Sequence, residues 1–215
     1  MRNGTGEFGA GSYEPEDRYV VGVEPSEAMR AQRRKHRVPC MRGVADSLPF
    51  DDSAFDASMA ILTVHHWPDP DLGLREVRRV TKGPVVVMTF DPTVDTEFWM
   101  FDYAPEMAVI ERTRYIGIDV ITKALGGRCD VQPIPVPADC LDGFQVAFYA
   151  RPEAFLNPEV RKAQSAWKFL PPGVECRIVS SISSDLKSGV WDNRYGKFRS
   201  KPFINCQLRL VVSWP

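Results

Sequence analysis

No apolar run in this chain comes near the roughly 20 residues that cross a bilayer, and its start lacks the apolar core of a signal peptide. The expectation is a cytoplasmic protein without a membrane partner. Nor is there an excess of one charge: 27 Lys and Arg stand against 28 Asp and Glu, a net charge of −1. That balance removes the electrostatic ground for binding nucleic acid or an anionic lipid surface. The one basic run, RAQRRKHR at 30–37, reads as the solvated face of a helix. Histidines number three, and the five cysteines (Cys40, Cys129, Cys140, Cys176, Cys206) are odd in number and scattered, with no C-x-x-C pair. Neither a zinc site nor a disulfide framework is expected, and the thiols read as reduced. Internal repeats are absent, and low complexity is confined to the glycine-rich start.

What is present is enough for a core. At 215 residues, 44% hydrophobic, the chain can bury one without staples. Its most informative stretch runs from 43 to 80, GVADSLPFDDSAFDASMAILTVHHWPDPDLGLREVRRV. Phe55, Met59, Ile61 and Leu62, bounded upstream by Asp51, Asp52 and Ser53, read as a central strand buried on both faces. The run ends in Thr63, Val64, His65, His66 and Trp67, where a parallel strand delivers its loop to the ligand side of an α/β sheet. A helix follows: Asp69 caps it, Pro70 suits its first turn, Leu74, Val77 and Val80 form its apolar stripe, and Gly83 with Pro84 stops it.

In chain order, Gly4, Gly6 and Gly9 spell G-x-G-x-x-G, with an overlapping pair at Gly9 and Gly11. Such glycines let a backbone approach a phosphate or nucleotide closely, but the motif needs a strand before it, and only three residues precede Gly4. YVVGVE at 19–24 reads as a strand ending in an acid, and Pro25 and Ser26 open a helix at 27–36. Glu24 can accept two hydrogen bonds from a ribose diol. A dinucleotide dehydrogenase places an acid there as well, so Glu24 alone admits either chemistry. Residues 38–44 form a third strand, followed by Ala45 and Asp46, and Leu48 and Phe50 bury two side chains in the next turn. His65 or His66 at a ligand-facing strand end can serve as a general base. PVVVMTF at 84–90 is another strand buried on both faces. Residues 96–111 are rich in aromatics at helical spacing. A helix at 118–125 ends at Gly126 and Gly127, and the prolines in 131–137 restrict that strand to a sheet edge. Helical pieces fill 139–201, and QLRLVVS at 207–213 returns as a final strand.

The runs VVGVEPSEAMRAQR, LPFDDSAFD, HHW and VVVMTFDP, across 20–92, resemble the class I S-adenosylmethionine-dependent methyltransferases, in particular the small type 11 group. DLKSGVWDNRYGKFR, nearer the C-terminus, matches more loosely. The resemblance implies an α/β, Rossmann-like three-layer sandwich with a mostly parallel sheet. Its first strand is missing and a helical cap is inserted before the last strand. The implied divisions are a cofactor-binding core at 1–137, a cap at 138–203 and the returning strand at 204–215. By the same resemblance the cofactor is S-adenosylmethionine, with Glu24 on the ribose, Asp46 on the exocyclic amine of adenine, Leu48 and Phe50 as apolar wall, and Ala45, Gly9, Gly11 and His65 among the other cofactor-binding residues. His65 and His66 are the catalytic candidates. The acceptor is a small molecule, apolar or aromatic rather than a sugar. A relative that binds cofactor poorly, or a nucleotide-dependent oxidoreductase, are the alternative readings.

Overall fold

A computed structural model describes residues 18–31 and 39–215. The strands are β1 (Gly22–Val23), β2 (Cys40–Met41), β3 (Ser58–Ile61), β4 (Val85–Phe90), β5 (Arg128–Pro133), β6 (Val136–Pro137), β7 (Phe203–Ile204) and β8 (Leu208–Trp214). The helices are α1 (Glu27–Ala31), α2 (Pro70–Arg79), α3 (Met100–Tyr103), α4 (Pro105–Arg114), α5 (Ile118–Leu125), α6 (Pro158–Lys162), α7 (Val174–Ser188) and α8 (Val190–Tyr195). The chain divides into two compact units, one α/β and one helical.

The α/β unit takes the described residues up to Thr89 together with 116–132 and 210–215. β1 pairs β2 in parallel, and β3 pairs β4 in parallel. β3 and β4 belong to a four-stranded sheet of order β3-β4-β8-β5, whereas β1 and β2 form a sheet of their own. This is a Rossmann-like α/β pattern in which, among the described residues, β1 and β2 pair separately from β3 and β4. β5, with its proline, lies at the sheet edge as its composition requires.

One apolar cluster holds the unit together: Ala60, Val85, Val87 and Val211 from the sheet meet Leu74 and Val77 of α2 and Ile121, Ala124 and Leu125 of α5. α2 starts as its sequence dictates, with Asp69 Oδ1 accepting from the Leu72 amide at 3.0 Å and Pro70 in the first turn. α5 ends in two glycines with φ of 65° and 64°, a left-handed pair that other residues rarely adopt.

Several expectations need correction. β3 is not buried on both faces: Ala60 turns into the cluster while Met59, pointing the other way, is 40% exposed. β4 likewise alternates, Val85 and Val87 buried and Val86 and Met88 half-buried, because α2 and α5 occupy one face of the strand pair. The strand also stops earlier than its apolar run. Leu62 has φ of 48°, a left-handed conformation that is costly for a bulky residue, and it turns the chain into a single 3₁₀ turn, Val64–His66. Finally, α2 ends at Arg79, before Gly83. Gly83 serves a different need: a Cβ there would stand 2.1 Å from the Asp56 carbonyl oxygen, so glycine lets the start of β4 come against the chain leading into β3.

The helical unit comprises 90–115 and 133–209 of the described chain. Its centre is Trp99, whose ring meets Tyr103, Phe155 and Trp191 edge-on at centroid distances of 5.9, 5.7 and 5.3 Å. β6 and β7 pair antiparallel within it. Phe98 and Tyr103 are core residues here. Among the described residues, no helix is long and apolar enough to cross a membrane.

Candidate functional site

In parallel neighbours the C-terminal ends lie at the same end of the pair, so the loops after β1 and β2 leave together. The Glu24 amide donates to Met41 O at 3.1 Å, extending the pairing to the end of β1. Glu24 itself is half-buried, and its Oε1 accepts from the Ser26 amide at 2.8 Å. That bond orients the carboxylate and leaves Oε2 without a hydrogen bond among the described residues. The loop after β2 is drawn in by Gly43, where a Cβ would stand 2.8 Å from Val23 Cγ1.

Ala45 and Asp46 occupy the tip of a tight turn closed by Val44 and Ser47, with the Ser47 amide 3.3 Å from Val44 O. Asp46 Oδ1 is buried and has no hydrogen-bond partner. A buried acceptor without a donor is costly to a folded chain, about 1–3 kcal/mol, and such atoms call for a ligand or a functional reason. Ala45 packs beside α2: a Cβ on Gly73 would meet Ala45 Cβ at 3.1 Å and Trp67 Cε3 at 2.5 Å. Gly73 therefore brings the 45–46 turn and Trp67 against one point of α2. Trp67 packs on the core cluster, so within His65-His66-Trp67 it is the structural member. His65 is half-buried and His66 exposed, and their rings stand 3.9 Å apart at 44°.

What the sequence did not single out is the clamp that holds the 48–52 loop. The Leu48 amide donates to Glu76 Oε2 at 3.0 Å. Arg79 donates to Leu48 O at 3.2 Å, Phe50 O at 3.0 Å and Asp52 Oδ1 at 2.7 Å, and it pairs Glu76 at 2.7 Å. The Arg79 guanidinium, with the Leu48 amide behind it, holds the Glu76 carboxyl below its usual range, and Glu76 and Asp52 raise Arg79 in turn. The i, i+3 spacing of Glu76 and Arg79 on one helix face was the available signal. Arg79→Met is expected to raise hydrogen exchange at the Leu48 amide by about tenfold, the order set by losing well-placed charged hydrogen bonds, while β4 amides stay protected. Unchanged exchange at Leu48 would mean that Glu76 alone holds the loop.

Glu24, Ala45, Asp46, Leu48, His65 and His66 thus all fall in the α/β unit, with the 45–46 turn and the 64–67 turn meeting at Gly73. Gly9 and Gly11 lie outside the described residues. Among the described residues no group of three or more His, Cys, Asp or Glu could hold a metal ion.

Residues 4–87 match the family model described as "Methyltransferase domain". Among curated proteins, the uncharacterized protein YafE of Escherichia coli is 40% identical over 65 residues, 29% of this chain and 31% of that one. Demethylmenaquinone methyltransferase of Mycolicibacterium gilvum is 39% identical over 74 residues, 34% of this chain and 32% of that one. The chain therefore matches about a third of the length of these relatives. Among solved structures, a putative methyltransferase from an antibiotic biosynthesis pathway of Anabaena variabilis superposes with a TM-score of 0.85 at 27% identity, covering 92% of this chain and 82% of that one.

Proposed function

We propose that this chain, which belongs to the type 11 group of the class I S-adenosylmethionine-dependent methyltransferases, transfers the methyl group of S-adenosylmethionine to a small-molecule acceptor. The observation that carries the reading is Asp46 Oδ1, a buried acceptor atom lacking a donor at the tip of the turn that follows β2. An exocyclic amine supplies the donor that atom lacks. Glu24, fixed through one oxygen by Ser26, presents the other to a ribose hydroxyl. Ala45 and Leu48 supply an apolar wall for the ring. The residues present fit the cofactor at these points. When bound, S-adenosylmethionine supplies a methyl group on a sulfonium that is already electrophilic, so positioning does most of the work.

His65 and His66 are the proposed proton acceptors for a hydroxyl or amine that attacks. His66 is the more open of the two to solvent, and the left-handed Leu62 fixes where the 3₁₀ turn that carries both of them begins. A small-molecule acceptor is supported by relatives named for quinone-type substrates, such as the demethylmenaquinone methyltransferase. One observation favours a second reading, a relative that binds cofactor weakly: β1 and β2 form a sheet separate from β3.

Titration calorimetry of the 215-residue chain with S-adenosylhomocysteine separates the two. Saturable micromolar binding is expected, weakened by about tenfold or more in Glu24→Ala through loss of a charged hydrogen bond. A folded chain that does not bind overturns the transferase reading in favour of the second. A rise in thermal midpoint with a nicotinamide dinucleotide, and none with S-adenosylhomocysteine, points instead to an oxidoreductase.

A further inference from the structure

The helical unit holds a cavity of about 160 Å³ that the cofactor residues do not share. Asp95, Thr96, Phe101, Glu111, Arg112 and Gln207 line it. A cavity of this size holds a group about as large as a benzene ring. Its polar lining is short of donors. Thr96 Oγ1 is buried and makes no hydrogen bond. The Glu111 side chain, 21% exposed, has Arg114 Nη1 at 3.6 Å, beyond hydrogen-bond reach, and accepts no hydrogen bond among the described residues. Arg114, ion-paired to Glu111 through Nη1, makes its hydrogen bond elsewhere: its Nη2 donates to Ser165 Oγ at 2.8 Å, and its guanidinium lies 4.9 Å over the Phe169 ring. Arg112 is taken up by Asp95 at 3.3 Å. Gln207 spends an amide N–H on Val94 O at 2.8 Å, which leaves its carbonyl oxygen as an acceptor.

The lining therefore offers a carboxylate, a hydroxyl and an amide oxygen; Glu111 has Arg114 as an ion-pair partner at 3.6 Å but no hydrogen bond, and the Thr96 hydroxyl has none either. Burial pushes the Glu111 carboxyl up to about 6, by more than the nearby Arg114 guanidinium lowers it. A neutral hydroxyl brings one donor to such a place. An ammonium brings three N–H donors within reach of a carboxylate that has an ion-pair partner but no hydrogen bond, and its bonds to that desolvated carboxylate are charge-assisted. Phe101 supplies an aromatic wall for the organic part and for the cation.

We propose that this cavity binds a small organic amine in its cationic form, the ammonium held by Glu111 and Thr96 and the carbon skeleton laid along Phe101. The site stands independently of the methyl-transfer reading, and its test needs no cofactor.

Benzylamine is the probe, with benzyl alcohol as a same-shape neutral control. Both are titrated into the full chain, with amide chemical shifts followed at Phe101 and Ala108. Benzylamine is expected to bind saturably and at least about tenfold more tightly than benzyl alcohol, the factor a charge-assisted bond contributes. Glu111→Gln, which keeps the volume and removes the charge, is expected to weaken benzylamine by about tenfold or more. Thr96→Val is expected to weaken it by about threefold to tenfold, since a neutral hydrogen bond is worth less. Circular dichroism verifies folding of each variant, and Thr96→Val carries the test if Glu111→Gln does not fold. Absence of saturable benzylamine binding by the folded wild-type chain, equal affinity for the alcohol, or indifference to the folded variants overturns the proposal.

Discussion

Trp99→Ala is expected to destabilise the helical unit by about 3–5 kcal/mol, the range for emptying a buried aromatic site. Trp99 is 1% exposed, and its ring is the hub of edge-on contacts with Tyr103, Phe155 and Trp191. Its indole N–H donates to Tyr149 O at 2.8 Å, so truncation also strips a buried carbonyl of its donor. A sharper comparison follows from the neighbouring indole. Trp191 is as deeply buried, yet its Nε1 has no hydrogen-bond partner. Trp99→Phe is therefore expected to cost about 1–3 kcal/mol through the lost hydrogen bond and volume. Trp191→Phe removes a donor already unsatisfied and is expected to cost less. Urea unfolding followed by far-ultraviolet dichroism measures all three. If Trp191→Phe proves costlier than Trp99→Phe, ring packing rather than N–H satisfaction governs this core.

Asp46→Ala is expected to move two observables in opposite directions. The substitution removes a buried acceptor atom that has no donor in the chain itself, so the thermal midpoint should hold or rise, by the equivalent of up to about 1 kcal/mol. Affinity for S-adenosylhomocysteine should fall by roughly tenfold to a hundredfold, the worth of a hydrogen bond to a charged group. Asp46→Asn retains one acceptor oxygen without the charge and should fall between the two. This pattern distinguishes a ligand-binding residue from a structural one, since a turn residue that merely holds its loop would lose stability and affinity together. A lowered midpoint with unchanged affinity would remove Asp46 from the site, and with it the main support for the cofactor reading.

The features readable from the chain alone share one property: their causes lie within a few residues. Asp69 and Pro70 started α2 where their spacing said, because a cap and its amide are three residues apart. Gly126 and Gly127 ended α5 for the same local reason, through their left-handed backbone. The strand end supplied Glu24 as a polar candidate, and the family resemblance nominated Asp46. Reading β3 and β4 as buried on both faces went wrong because an apolar run reports a residue's tolerance for burial, whereas the cover comes from other elements. Here α2 and α5 take one face and leave Met59 exposed.

Other features had no local signature. Arg79 reaches back to Leu48, Phe50 and Asp52, about thirty residues upstream, to fix the loop beside the 45–46 turn. Gly83 is a glycine because of Asp56, and Gly73 because of Trp67 and Ala45. The amine cavity gathers Thr96 and Glu111 with Gln207 from the far end of the chain. Spacing settled where α2 begins and α5 ends, since these depend on backbone geometry and hydrogen bonds between near neighbours, and the family resemblance implied the class of fold and nominated Glu24 and Asp46. Which acids lack a donor, which glycines admit a neighbour and where a cavity remains were decided by packing between distant segments, because burial and unsatisfied polar atoms exist only once the chain has closed on itself.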